Sequence, residues 1–211
     1  MYVAAIVLAI ALAGTLYFDH AGKPVISGVC KMIASTAFMA AAWIGGAMDS
    51  FYGKAIFVGL FLSWWGDLLL IFKDKRPFLA GLVAFLAAHL AYIAAFFGRG
   101  VHPFGAAMAV VVLMPFVWII VRWLKPHLST EMKGPVYAYM VVISSMLVLS
   151  VGAWRAGGAL LIPCGALAFY LSDLSVAKER FVSPGYLNRL WGLPMYFLGQ
   201  ILLAFSIASS T

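Results

Sequence analysis

The chain has 211 residues, of which 65% are apolar and 10% are charged. A soluble domain has about 45–50% apolar and ~25% charged residues, so this composition excludes an ordinary soluble domain and favours a protein embedded in a bilayer. The net charge of +7 raises nucleic acid as a partner, but no basic stripe with interleaved aromatic residues could follow a phosphate backbone, and we predict no nucleic-acid binding.

Eight apolar runs follow one another along the chain. Each has about 17–21 residues, enough for a helix to cross ~30 Å of hydrocarbon. They cover approximately residues 2–18, 26–46, 54–72, 78–97, 104–123, 135–153, 158–176 and 191–208. Strands are excluded because strict alternation is absent and an open sheet edge leaves its backbone unsatisfied in lipid. Since the connectors are short, we predict an all-α membrane protein with eight transmembrane helices in one bundle, a single domain over residues 1–211.

Basic residues are distributed unevenly between the two sides of this predicted bundle. Eleven of the fourteen flank the connectors after helices 1, 3, 5 and 7. These eleven are Lys23, Lys31, Lys73, Lys75, Arg76, Arg122, Lys125, Lys133, Lys178, Arg180 and Arg189. The other side has only Lys54, Arg99 and Arg155. The positive-inside rule places the richer side in the cytoplasm and both termini on the non-cytoplasmic side, and we predict an integral protein of a bacterial inner membrane.

Asp67 and Asp173 are acidic residues that lie inside apolar runs, in helices 3 and 7. A carboxylate is costly in lipid and by default marks a functional site. Both lie shortly before a lysine, Lys73 or Lys178, which puts them roughly 8–9 Å below the cytoplasmic basic belt. In one interpretation each aspartate pairs with a nearby lysine to fix a helix end. In the other, the two carboxylates face one cavity and share a proton, which makes them a paired acid and base.

Other helices are predicted to supply polar side chains to the same cytoplasmic half. His89 and Gln200 lie about 15 Å into helices 4 and 8, and Tyr139 is near the start of helix 6. A lone histidine is as often a structural hydrogen-bonding group as a catalyst. The sequence has no HxxxH or HExxH spacing, which disfavours a metal site. We expect Cys30 and Cys164 to be small buried hydrophobes.

Polar residues also recur with an offset of four helices. The two aspartates occupy helices 3 and 7, and His89 and Gln200 occupy matching places in helices 4 and 8. Near the start of helices 2 and 6, a Lys-Pro pair is followed by a second lysine eight residues after the first. Our hypothesis is that helices 1–4 and 5–8 are two parallel four-helix repeats about an axis along the membrane normal.

Together these segments resemble the YhhN family of integral-membrane proteins, whose characterised members are lysoplasmalogenases. The matching segments are Gly66–Leu69, Phe85 with His89 and Tyr92, residues 165–173, Arg180-Phe181, and Tyr196 with Gln200. The resemblance implies an ether hydrolase (EC 3.3.2.-) without metal or cofactor. It would cleave the vinyl-ether bond of lysoplasmenyl-ethanolamine or -choline to a fatty aldehyde and a glycerophospho-base.

With this resemblance, Asp67 and Asp173 are interpreted as the acid–base pair, without deciding which is the acid. They would act through an oxocarbenium-like state, as the two carboxylates of glycosidases do. Four side chains are expected to orient water or the ether oxygen: His89, Tyr139, Gln200 and Tyr92. Four more are expected to bind the headgroup phosphate at the cytoplasmic mouth: Lys31, Lys178, Arg180 and Arg189. The partners are a lysophospholipid substrate and the bilayer, and the oligomeric state is not predicted.

Two other functions remain open from the sequence. Intramembrane aspartates and parallel repeats also suit a proton-coupled transporter. A carrier needs a path to both faces, however, whereas the polar residues cluster on one side, and Pro115, Pro163 and Pro194 are the only deep candidates for breaking a helix. The second is a non-catalytic lipid-binding membrane protein, in which aspartate substitutions would change stability alone.

Overall fold

The computed structural model describes residues 1–72 and 74–209, and all regular structure in this part of the chain is helical. The α-helices are α1 (Tyr2–His20), α2 (Pro24–Ile44), α3 (Phe51–Leu69), α4 (Lys75–Arg99), α5 (Pro103–Leu124), α6 (Thr130–Arg155), α7 (Leu161–Ala177) and α8 (Tyr186–Ala208). A 3₁₀ turn (Lys125–His127) follows α5, and a π-helical turn (Lys178–Val182) follows α7. Lys73, predicted in the cytoplasmic belt, lies outside the described residues.

The all-helical class is confirmed, and the number of spans is confirmed in part. Among the described residues, seven helices are long and apolar enough to cross a membrane, namely all except α3. That helix has 19 residues, the same length as α1, but Lys54 and Asp67 lower its hydropathy. The eighth span therefore stays a prediction.

The helices do not begin where the apolar runs begin. Capping residues close in sequence, and not hydropathy, set the first residue of a helix. Ser50 accepts a hydrogen bond from the Gly53 amide at 3.0 Å, so α3 begins three residues before its apolar run. Pro24 and Pro103 occupy the first positions of α2 and α5. The backbone N–H that proline lacks would have no acceptor within the helix at this position, so proline costs no hydrogen bond there. α8 begins at Tyr186, five residues before its apolar run, and therefore includes a polar first turn.

Glycine permits the close packing of α7 on α8 and of α3 on α4. A Cβ on Gly199 would lie 2.9 Å from the Gly165 carbonyl oxygen and 2.9 Å from the Phe169 amide nitrogen, so only glycine fits there. Gly59 of α3 leaves room in the same way for the ring of Tyr92 in α4. In lipid, helices associate through such close contacts between small residues. The helix pairs α3–α4 and α7–α8 occupy matching places in the two proposed repeats. The repeats themselves stay a hypothesis.

The helices differ in how deeply they enter the bundle. The core contains the fully buried rings of Phe38, Tyr92, Phe169 and Phe197. By contrast, α5 is peripheral, with only Gly105 and Leu124 buried among its residues. This difference leaves one side of the bundle loosely packed.

Proline does not divide the helices of the described chain. α5 continues through Pro115 and α8 through Pro194, and Pro163 lies in the first turn of α7. The discontinuous helices that many carriers use to bind their cargo are therefore not seen in the part of the chain that the structure describes.

One expectation about cysteine is wrong. Cys164 is exposed on the outer surface of α7, and Cys30 is only partly buried. The apolar run of helix 7 does not distinguish its lipid-facing side from its core side, because both are apolar in a membrane protein.

Candidate active site

Asp67 lies in the last turns of α3, where its carboxylate is held from two other helices. The Lys31 ammonium of α2 is 3.0 Å from Oδ1. Ser35 of α2 and Tyr196 of α8 each donate a hydroxyl hydrogen bond to Oδ2 at 2.6 Å. The Asp67 side chain is 2% exposed and that of Lys31 is 14% exposed. A buried carboxylate with a cation and two hydroxyl donors is stabilised in its ionised form.

Asp173 of α7 has a different environment. Tyr139 of α6 donates to Oδ2 at 2.8 Å, and Nε2 of His89 in α4 lies 3.5 Å from the same oxygen. Within the described residues, no lysine or arginine forms an ion pair with this carboxylate. Its side chain is 16% exposed, so Asp173 is the more accessible of the two aspartates.

The hydrogen bonding of His89 indicates where a proton resides. Its Nδ1 lies 2.6 Å from the Phe85 carbonyl oxygen, which only accepts, so Nδ1 carries the hydrogen. A neutral imidazole then presents the unprotonated Nε2 to Asp173. An ionised carboxylate would place two lone pairs face to face in a buried site. A hydrogen on the Asp173 carboxyl group would remove this repulsion, although Nε2 has no hydrogen-bond partner among the described residues at the present 3.5 Å.

The ring of Phe169 contacts one aromatic partner of each aspartate, His89 and Tyr196. Its centroid is 4.4 Å from that of His89 and 5.5 Å from that of Tyr196. The path from one carboxylate to the other thus runs from Asp67 through these three rings to Asp173. No hydrogen bond or ion pair among the described residues joins the two aspartates directly, and their action as a pair stays a prediction.

Tyr92 and Gln200 form a third buried polar group on the core side of Phe169. The Tyr92 hydroxyl donates to Oε1 of Gln200 at 2.6 Å, and both residues are fully buried. Nε2 of Gln200 and the hydroxyl of Ser63 are also buried and have no hydrogen-bond partner among the described residues. A buried polar atom without a partner is costly. This group is therefore able to hold a water molecule or a polar substrate atom.

The four basic residues expected to bind phosphate do not share one environment. Lys31 is engaged with Asp67. Arg189 is 2.8 Å from Asp19 and 3.7 Å from Glu179, so two carboxylates already balance its charge. The Arg180 guanidinium lies 4.2 Å above the Phe78 ring, a cation–π contact that leaves its hydrogen-bond donors available.

Two kinds of site residue were missed from the sequence. Ser35 lies four residues after Lys31, and Tyr196 lies four residues before Gln200. Residues four apart share a helix face, so this spacing could have identified them. Phe169 had no such signal, because one phenylalanine is not distinctive in so apolar a chain.

Sequence comparisons identify relatives of this chain. It is 30% identical over 180 residues to "Lysoplasmalogenase TMEM86A" of Bos taurus, covering 82% of this chain and 73% of that protein. The Homo sapiens TMEM86A lysoplasmalogenase is 32% identical over 161 residues, with 74% and 65% covered. "Lysoplasmalogenase TMEM86B" of Sus scrofa is 29% identical over 182 residues, with 85% and 73% covered. The chain thus spans about two thirds to three quarters of these relatives.

No solved structure matches the chain. The YhhN family model matches residues 26–207, from the second residue after Pro24 to the last turn of α8. This match includes both aspartates and the side chains that contact them, Lys31, Ser35, His89, Tyr139 and Tyr196. The chain belongs to the YhhN family.

Proposed function

We propose that the protein is a membrane hydrolase that cleaves the vinyl-ether bond of lysoplasmalogens. The products are a fatty aldehyde and glycerophosphoethanolamine or glycerophosphocholine. Membership of a family whose curated relatives are lysoplasmalogenases supports this class of substrate. The observation that carries the proposal is the His89–Asp173 pair, in which Nε2 faces a carboxyl group that has no lysine or arginine partner among the described residues.

The reaction needs a proton at carbon before it needs water. Protonation of the alkene carbon that is not bonded to oxygen gives an oxocarbenium ion centred on its neighbour. Water adds to that neighbouring carbon and loses a proton, which gives a hemiacetal. The hemiacetal collapses to the aldehyde and the glycerol hydroxyl. One acid that donates a proton and then accepts one therefore completes the cycle, and such general catalysis contributes about 10²–10⁴-fold.

Asp173 is assigned this role. It gives its proton to the alkene carbon, and the Tyr139 hydroxyl at 2.8 Å stabilises the carboxylate that remains. The carboxylate then takes a proton from the attacking water. His89 is a positioning residue that shares the proton through Nε2. Tyr92 and Gln200 hold the attacking water through the spare Gln200 amide hydrogens.

Asp67 is assigned the ionised role. The Lys31 ammonium, Ser35 and Tyr196 keep it charged throughout the reaction. Its negative charge, which Lys31 balances in part, adds to the stabilisation of the oxocarbenium ion. Asp67 also holds the Tyr196 ring against Phe169, and so shapes the wall of the site.

The headgroup lies at the cytoplasmic surface in this proposal. Eight spans, with α3 as the eighth, put both termini outside the cytoplasm of a bacterial cell, by the positive-inside rule. Lys178 and Arg180 follow Asp173 by five and seven residues, which places them within about 11 Å of it along the helix axis. They bind the phosphate, whereas Lys31 and Arg189 mainly balance carboxylates.

The test is aldehyde release by the purified protein from three lysolipids with the same headgroup. One has a 1-alkenyl, one a 1-alkyl and one a 1-acyl chain. We expect aldehyde from the alkenyl lipid alone, because only a vinyl ether gives an oxocarbenium ion on protonation of carbon. Absence of aldehyde from the alkenyl lipid would reject the hydrolase, and a proton-flux assay in liposomes would then test the carrier. The variant Asp173→Asn controls for contaminating hydrolases.

A further inference from the structure

An apolar groove of about 640 Å³ lies between α5, α6 and α7. Its lining side chains are apolar or aromatic, apart from Arg155 at one end. The groove exists because α5 is peripheral and packs loosely on its neighbours. Its volume falls within the ~300–1,000 Å³ that is usual for sites of small molecules.

The groove is long and has a closed inner end. Its α5 wall runs from Phe104 to Ile120, sixteen residues and therefore about 24 Å along the helix. Trp154 lines the outer end and Leu174 the inner end. Beyond Ile120, the apolar cluster around Leu124, Leu128 and Met140 fills the space between the helices. The groove thus stops at the level of Leu174, one residue from Asp173.

Two adjoining buried hydroxyl groups lie at this inner end. Tyr170 lines the groove, is 4% exposed and lies one turn before Asp173 on the same side of α7. Its hydroxyl is buried and adjoins that of Ser144 in α6, and neither hydroxyl has another hydrogen-bond partner among the described residues. Two hydroxyls that bond only to each other leave one hydrogen without an acceptor. A donor left unsatisfied in an apolar site is costly. Tyr170 therefore indicates a polar ligand atom at the inner end of the groove.

We propose that this groove binds the alkenyl chain of the substrate, with the vinyl ether beside Tyr170 and Asp173 and the methyl end toward Trp154. The inference rests on the proposed function and adds to it a binding site for the hydrocarbon chain of the substrate. Tyr170 donates its hydroxyl to the ether oxygen. Because the bilayer is as apolar as the groove, the chain gains little from leaving lipid. The groove therefore selects by shape, and chain length is its natural readout.

The test uses two neighbouring valines of α5. Val112 lines the groove, about 12 Å along the helix from Ile120. Val111 does not line it and is 65% exposed. Val112→Trp obstructs the groove halfway, whereas Val111→Trp adds the same side chain outside it. The substrates are lysolipids with a hexadecenyl or an octenyl chain, of which only the hexadecenyl chain must pass residue 112.

We expect kcat/KM of Val112→Trp for the hexadecenyl lipid to fall about tenfold relative to Val111→Trp, the scale of an overpacked site. The octenyl lipid should be cleaved equally by both variants. Equal cleavage of the hexadecenyl lipid by the two variants would overturn the groove while leaving the hydrolase intact. A uniform loss with both chain lengths would also overturn it, because it would indicate damage to the fold and not to chain binding.

A second measurement does not depend on catalysis. A 1-alkyl lysolipid with a diazirine at its terminal carbon cannot be cleaved and labels whatever surrounds the end of its chain. In the wild-type protein we expect labelled peptides from the outer end of the groove, around Phe104 and Trp154, and loss of this labelling in Val112→Trp. Labelling spread evenly over lipid-facing helices such as α1 would show that ordinary membrane lipid fills the groove, and would overturn the proposal even if no aldehyde were released.

Discussion

The surroundings of Asp67 and Asp173 differ in the groups that stabilise a buried carboxylate, namely a neighbouring cation and hydroxyl donors. Asp67 has an ammonium at 3.0 Å and two hydroxyl donors at 2.6 Å. Asp173 has one hydroxyl at 2.8 Å and an imidazole at 3.5 Å. Two aspartates that look equivalent in sequence are therefore suited to different work. We therefore expect Asp67 to serve as the ion-pair partner of Lys31 and propose that Asp173 exchanges the proton.

The largest expected effect is on catalysis, from Asp173→Asn. The amide cannot donate a proton to carbon, so we expect aldehyde release to fall by about 10²–10⁴-fold. The thermal midpoint in detergent should stay near that of the wild type, because no buried cation loses its partner. Turnover close to the wild-type rate would remove Asp173 from the chemistry.

Asp67→Asn should instead cost stability. It leaves Lys31 partly buried without its counter-ion, for an expected loss of about 3 kcal/mol in the free energy of unfolding, the low end for buried pairs. The matched control is Lys31→Met combined with Asp67→Asn, which removes both charges and should recover most of the loss. Chemical unfolding in detergent measures this. If the single variant were as stable as the wild type, Asp67 would not be the ionised partner of Lys31.

The two tyrosines that contact the aspartates offer a smaller, matched comparison. Tyr139→Phe removes the donor to Asp173, and we expect kcat to fall about tenfold with little change in stability. Tyr196→Phe removes a donor to the charged Asp67 and should cost about 1.5 kcal/mol of stability. Aldehyde release and unfolding, measured on both variants, should therefore give opposite patterns. The same pattern from both would erase the distinction between the two regions.

The sequence predicted those parts of the molecule that depend on hydropathy. Long apolar runs specify membrane helices, and a carboxylate within such a run stands out. It did not predict that α8 begins at Tyr186, because a polar first turn is not distinguishable from a connector by hydropathy. It also left two interpretations of the aspartates open. The structure places Lys31 on Asp67, whereas among the described residues Asp173 has no lysine partner, and this depends on helix rotations that hydropathy does not encode. Phe169 lies in the segment 165–173 that resembles the family, but nothing in the sequence indicated that its ring contacts both His89 and Tyr196.

The smallest expected effect is the coupling free energy between a substitution beside Asp67 and one beside Asp173, and it tests whether the two aspartates act together. Ser35→Ala weakens the Asp67 group, and Tyr139→Phe weakens the Asp173 group. The two groups share no hydrogen-bond partner among the described residues, so the effects of the two substitutions on the activation free energy should add within ~0.5 kcal/mol. A double-mutant cycle on kcat/KM measures this coupling. A coupling well above that limit would mean that the carboxylates exchange charge or protons across Phe169. The paired acid and base expected from the sequence would then describe the site better than a division of labour.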